Sequence, residues 1–125
     1  MNNTRTMSEL SKIIEALGRH SDGSAVDVLE EIGTNSSEDM IRELTAKALI
    51  SRNTNDSLKI ALIYEGKGIH DLSIQVAESA VDSLKSLNDK SEVFKILEET
   101  INSDINESIK SRAKQVKDLI SASLN

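Results

Sequence analysis

A chain of 125 residues with 21 acidic against 15 basic side chains carries a formal net charge of -6, a field that repels nucleic acid and favours basic partners. Cysteine is absent, which excludes disulfides and thiolate metal sites and predicts a reducing, cytoplasmic setting. The N-terminus MNNTRTMSEL lacks an apolar run and no stretch reaches the ~18 consecutive apolar residues of a membrane span, so neither a signal peptide nor a membrane partner is expected.

Proline is absent and the aromatic residues are Tyr64 and Phe94, so interruptions fall to Gly, Asn, Asp and Ser. The pattern predicts about seven helices and no strand, with a flexible tail over residues 1–7 and a single domain over 8–125. The first helix runs from near Thr6, paired with Glu9 as a capping box, to Leu17, with Leu10, Ile13, Ile14 and Leu17 on one face. After HSDGS, a second helix spans Ser24 to Ile32 with Ala25, Val28, Leu29 and Ile32 aligned, and Gly33 stops it. TNSSED caps a third, whose inner face is Ile41, Leu44, Thr45 and Ala48 and which ends near Ser51. Leu58 to Tyr64 make a fourth, terminated by Gly66 and Gly68. A fifth begins around Asp71 and buries Ile74, Ala77, Val81 and Leu84. A sixth carries Val93, Phe94, Leu97 and Ile101. The seventh, capped by Asp104 with Glu107 three residues on, carries Ile109, Ala113, Val116 and Ile120.

Short, densely apolar helices alternate with longer, more charged ones, and the short ones repeat. Val26, Val28, Leu29 and Glu31 recur about 34 residues later as Ile60, Leu62, Ile63 and Glu65, and again as Phe94, Ile96, Leu97 and Glu99. Self-similarity at such a period marks stacked supersecondary units, none of which buries its apolar face alone. The expected architecture is all-α: a short right-handed α-solenoid of helical hairpins with one continuous core between its two helix layers.

The segment DMIRELTAKALIS, through Ile41, Arg42, Ala46, Ala48 and Leu49, resembles the first helix of a HEAT-like repeat. SIQVAESAVDSL and SIKSRAKQVKDL are weaker copies, and AVDVLEEIG resembles the second helix of such a unit. Gln75 and Lys110 stand where Arg42 stands, and the proline common in that helix is missing. The resemblance implies a curved stack with second helices on the concave side and a scaffold or adaptor role. Some small HEAT-like proteins are accessory chains of enzymes, bilin lyases among them, and an accessory subunit is the alternative the resemblance implies.

Residues 30 and 31 point away from the stripe of 25, 28, 29 and 32, because a helix turns about 100° per residue. Stacking three such helices puts Glu31, Glu65 and Glu99 in a row, accompanied by Glu30, Tyr64 and Glu98: an acidic track with one aromatic anchor, suited to a basic segment of a protein partner. Lys110, Lys114 and Lys117 share one side of the last helix and are expected to solvate a terminal repeat. His20 and His70 sit at helix junctions with no partner histidine at metal-ligand spacing, so no metal is expected. No nucleophile elbow, phosphate loop or isolated carboxylate pair occurs, so the reading assigns no catalytic residue and no cofactor. An uncapped end of so short a stack would also favour a homodimer.

Overall fold

The computed structural model describes residues 3–123, with side chains described over 8–122. Among them are seven α-helices and no strand: α1 (Asn3–Arg19), α2 (Ser24–Leu29), α3 (Asp39–Arg52), α4 (Asn55–Ile63), α5 (Ile74–Lys85), α6 (Ser91–Ile101) and α7 (Glu107–Ser123). A π-helical turn (Glu30–Thr34) continues α2, and a 3-10 turn (Gly68–His70) precedes α5. The first helix thus starts within the stretch read as a tail, and the Thr6–Glu9 box falls where the Thr6 side chain is outside the described residues.

Each short helix has an aspartate at its start. Asp22 and Asp89 lie just ahead of α2 and α6, and Asp56 lies in the first turn of α4, whose N-cap is Thr54 in a capping box with Ser57. Asp22 accepts from the Ser24 backbone N–H at 3.0 Å, Asp56 from Ser57 at 2.9 Å and Asp89 from Ser91 at 3.0 Å. Such bonds satisfy helix-start donors and set negative charge at the positive end of the helix dipole. Hydrogen bonding is also the main reason all three carboxyls titrate below the usual aspartate range. For α7 the cap is Asn106, whose Oδ1 accepts from Ile109 N at 3.0 Å; the expected Asp104 cap lies two residues too early.

Central α3 has its most extensive contacts with α1 on one side and α5 on the other; α4 packs on α3 and α6, and α7 lies mainly on α6. The expected single core is divided. Ile14, Val26, Leu29, Ile41, Ala48, Leu49 and Ile60 form one buried cluster. A larger one joins Ala46 and Ile50 of α3 to Leu58, Leu62, Leu84, Val93, Leu97, Val116 and Ile120, among others.

Three apolar residues assigned to inner faces are exposed instead: Ile13, Val28 and Ile74. In α2 the buried residues are Ala25, Val26 and Leu29, and in α5 they are Val76, Ala77, Ala80 and Leu84. The face of α7 holds as read, with Ile109, Ala113, Val116 and Ile120 all buried, while in α3 Ile41, Thr45 and Ala48 are buried, Leu44 is half-buried, and Ala46, Leu49 and Ile50 go inside as well. Burial also departs from an even repeat. Ala25, Val26 and Leu29 correspond to Ser57, Leu58 and Ala61, whereas Leu58, Ala61 and Leu62 correspond to Val93, Ile96 and Leu97. The first step is therefore shorter than the second.

A π turn widens the end of α2. Gly33 is expected to stop α2; it is instead buried within the widened turn, and a Cβ there would fall 1.7 Å from Thr45 Oγ1. The missing side chain lets α3 approach this turn. Thr34 Oγ1 donates to the Glu30 carbonyl at 2.7 Å, and Thr45 Oγ1 to that of Ile41 at 2.7 Å, so both buried hydroxyls are satisfied.

Side chains at and between helix ends tie segments together at sequence separations of about 30 to 37 residues. Arg52 donates to the carbonyls of Leu17 (2.9 Å), His20 and Asp22 (3.1 Å), tying the end of α3 to the connection between α1 and α2. Asn53 Nδ2 donates to the Asp89 carbonyl at 2.8 Å and Asn55 Nδ2 to Glu92 Oε2 at 2.8 Å. Lys67 Nζ reaches back to the Thr34 carbonyl and to Asn35 Oδ1 at 2.8 Å.

Candidate functional site

The six residues of the acidic track occupy different settings. Glu30 is half-buried and Glu31 exposed, both in the π turn. Tyr64 is 44% exposed and, with ψ at 126, already leaves the helix; Glu65 follows in the turn, exposed. Glu98 and Glu99 are exposed near the end of α6, and Glu98 Oε1 lies 3.4 Å from Lys117 Nζ. Matched by burial, Glu31 corresponds to Ile63 and then to Glu98, so Glu65 stands off that line. Lys117 is accordingly a partner of the track, and Lys110 lies 3.7 Å from Glu107 within its own helix.

On α6 the structure brings Glu98 and Glu99 together with Phe94, Lys95, Asn102 and Ser103 around a shallow open depression. Phe94 is only half-buried there and packs against the larger core from its edge. The sequence reading assigned Phe94 to the inner face; its partial exposure follows from lying one residue beyond fully buried Val93.

A second feature lies elsewhere. The segment from Gly68 to Ser73 is held residue by residue. Gly68 (φ 53) presses on the backbone of Ala61, and Ile69 is fully buried. His70 Nε2 is 2.8 Å from the Leu62 carbonyl, which places its proton on Nε2. Asp71 receives Arg42 Nε at 3.0 Å and Nη2 at 3.3 Å, while its Oδ1 accepts from Ser73 N at 2.9 Å. The hydrogen bond to Asp71 is the main reason that the Arg42 guanidinium is held above its ordinary pKa. Ser73 Oγ then accepts from Val76 N at 3.5 Å and starts α5.

This anchoring sets the phase of α5 and leaves two residues outside: Leu72 is 95% exposed and Ile74 75% exposed. They border an open groove of about 560 Å³ between the 3-10 turn, α5 and α7, with Ile69, Ala77 and Val81 among its lining. Leu119 of α7, 49% exposed, lines it from the other side. Glu78, Asp82 and Lys85 of α5 and Arg112 of α7 are exposed around it, with no ion pair to any of them among the described residues. With Ile74 expected in the core, no groove is expected here; Asp71 and Ser73, capping residues two positions apart, are the signal in the sequence that points to it.

His70 borders the same groove, and burial, the largest cause, holds it below the ordinary histidine pKa; Arg112 acts in the same direction, while the Leu62 bond and Glu65 oppose. The unfolded chain takes up this proton near pH 6.5, and the folded chain does so only at lower pH. Stability is therefore fully present above about pH 6.5 and falls as pH drops below it. His70→Gln, which keeps a donor for the Leu62 carbonyl, is expected to flatten that part of a urea-denaturation profile. An unchanged profile would assign the decline to other groups.

Among the described residues no cluster of His, Asp and Glu is placed to hold a metal ion, and no helix is long and apolar enough to cross a membrane. Comparison with family models, curated proteins and solved structures finds no match to this chain.

Proposed function

We propose that this chain is a non-catalytic protein-binding module, a short stack of HEAT-like hairpins that holds a basic segment of its partner against an acidic face. One observation carries the reading: Glu98 and Glu99 flank the half-exposed ring of Phe94 on an open surface of α6. A lysine or arginine there meets the Glu99 carboxylate, the Glu98 carboxylate that it shares with Lys117, and an aromatic face together, a combination that favours a cation more than any of them alone. The net charge of -6 steers such a partner towards the surface at long range. Boundary contacts from Arg52, Asn53 and Lys67, all near the sequence period, support the stacked-unit reading.

The test is a titration with a lysine- and arginine-rich helical peptide, followed by backbone amide shifts at low and high salt. Shifts are expected on α6 and beside Glu31 and Glu65, diminishing as salt rises. Reversing Glu31, Glu65, Glu98 and Glu99 to Lys is expected to weaken binding by about tenfold or more at unchanged helicity. Binding that survives the reversal, or none in the wild type, would overturn the reading.

A further inference from the structure

The groove between α5 and α7 shows a pattern that the acidic face does not explain. Its edge exposes Leu72, Ile74 and Leu119 from two sides. Three exposed aliphatic side chains beside one groove are costly for a monomer to present to water, and such patches mark surfaces that another protein covers.

The charges indicate which protein. A groove for a basic or an acidic partner carries one sign of charge. Its exposed charges are two of each sign, Glu78 and Asp82 against Lys85 and Arg112, and none of the four is in an ion pair among the described residues; the Asp71 carboxylate that also lines it is buried and paired with Arg42. A neutral, mixed-sign rim around an apolar centre is what a two-fold interface requires, because the same patch must complement itself. The acidic pair lies on α5, while α7 contributes Arg112. A two-fold axis along the groove sets α5 of one copy opposite α7 of the other, bringing Glu78 towards Arg112 of its mate twice.

We infer that a second copy of this chain covers the groove, giving an isologous dimer centred on Leu72, Ile74 and Leu119. The groove along α5 and α7 shares no lining residue with the depression on α6, so the interface stands or falls independently of the basic partner.

Sedimentation equilibrium on the full chain, from low to high micromolar concentration, tests it. The wild type is expected to move from the 13.7 kDa monomer to twice that mass. Ile74→Asp, a change at an exposed position, is expected to remove the dimer while circular dichroism stays unchanged. Glu78→Arg and Arg112→Glu are each expected to weaken the dimer about tenfold, and the double variant to recover it, since the swapped pair attracts again. A wild type monomeric throughout would overturn the inference. So would a dimer indifferent to Ile74→Asp, which would use another surface. Amide shifts at Leu72 and Ile74 produced by the basic peptide, in a chain that stays monomeric, would assign the groove to a different occupant and equally overturn it.

Discussion

Gly68→Ala is expected to lower the free energy of unfolding by about 4 kcal/mol. Two costs combine. At φ 53 the backbone sits in the left-handed region, where an alanine costs roughly 1–2 kcal/mol relative to glycine. The added Cβ would also fall 2.1 Å from the Ala61 carbonyl oxygen and 2.7 Å from its Cα. These are backbone atoms of α4, so no rotamer change relieves the contact, and overpacking adds about 1–3 kcal/mol. A domain of this size has roughly 5–15 kcal/mol of stability, so the variant loses a large share of it. Urea denaturation measures the change. Gly66→Ala is the control: its φ of 75 imposes the conformational cost, yet nothing lies within 4 Å of the added methyl. Equal losses in the two variants would show that the contact with Ala61 contributes nothing.

The second large loss is expected at the Arg42–Asp71 pair. Asp71 has a side chain only 2% exposed, while Arg42 donates to both its oxygens. Arg42 Nη1 also donates to the Ser36 carbonyl at 2.8 Å, and Nη2 to Asp39. Arg42→Leu leaves a buried carboxylate with the Ser73 N–H as its remaining hydrogen-bond donor, and removing one partner of a buried pair costs about 3–5 kcal/mol. Asp71→Asn keeps an acceptor for Ser73 and removes the charge, so Arg42→Leu with Asp71→Asn is expected to lose less than the two single changes combined. A coupling of about 2 kcal/mol in this double-mutant cycle is the expected result; strict additivity would show that the pair is not the anchor of the segment. Arg42→Lys is expected to recover only part of the loss, since an ammonium cannot reproduce the two-pronged contact.

Both predictions concern one short stretch, and that is where local pattern and tertiary structure part. Gly66 and Gly68 read as stop signals after α4, which is correct for the helix boundary. Why position 68 must lack a side chain depends on the backbone of Ala61. Arg42 reads as one residue of a repeated helix motif, and Asp71 as the start of the next helix. Their union crosses 29 positions of sequence, and no periodicity connects them. It decides the phase of α5: Asp71 and Ser73 cap the helix three residues later than read, Ile74 becomes its first residue, and Val76 and Ala80 take the buried positions.

The same distinction explains the acidic track. Glu31, Glu65 and Glu99 repeat evenly along the chain, but the π turn at Glu30–Thr34 and the extended backbone of Tyr64 break the helical phase between them. Glu98 and Glu99 end up beside Phe94, and Glu65 in a turn near His70.

By itself the sequence determined the all-helical class, the seven-helix order and the inner face of α7. These rest on local physics: capping residues and glycines bound the helices, and an apolar stripe no wider than the buried face has only one way to point. Tertiary structure alone decided which residues of a wider stripe go inside. In α1 Ile14 is fully buried while Ile13 is exposed, and Ile74 and Leu72 stand in solvent beside the groove. Their orientation is settled by partners far along the chain, because a surplus of apolar residues leaves helix phase to whichever distant contact is strongest.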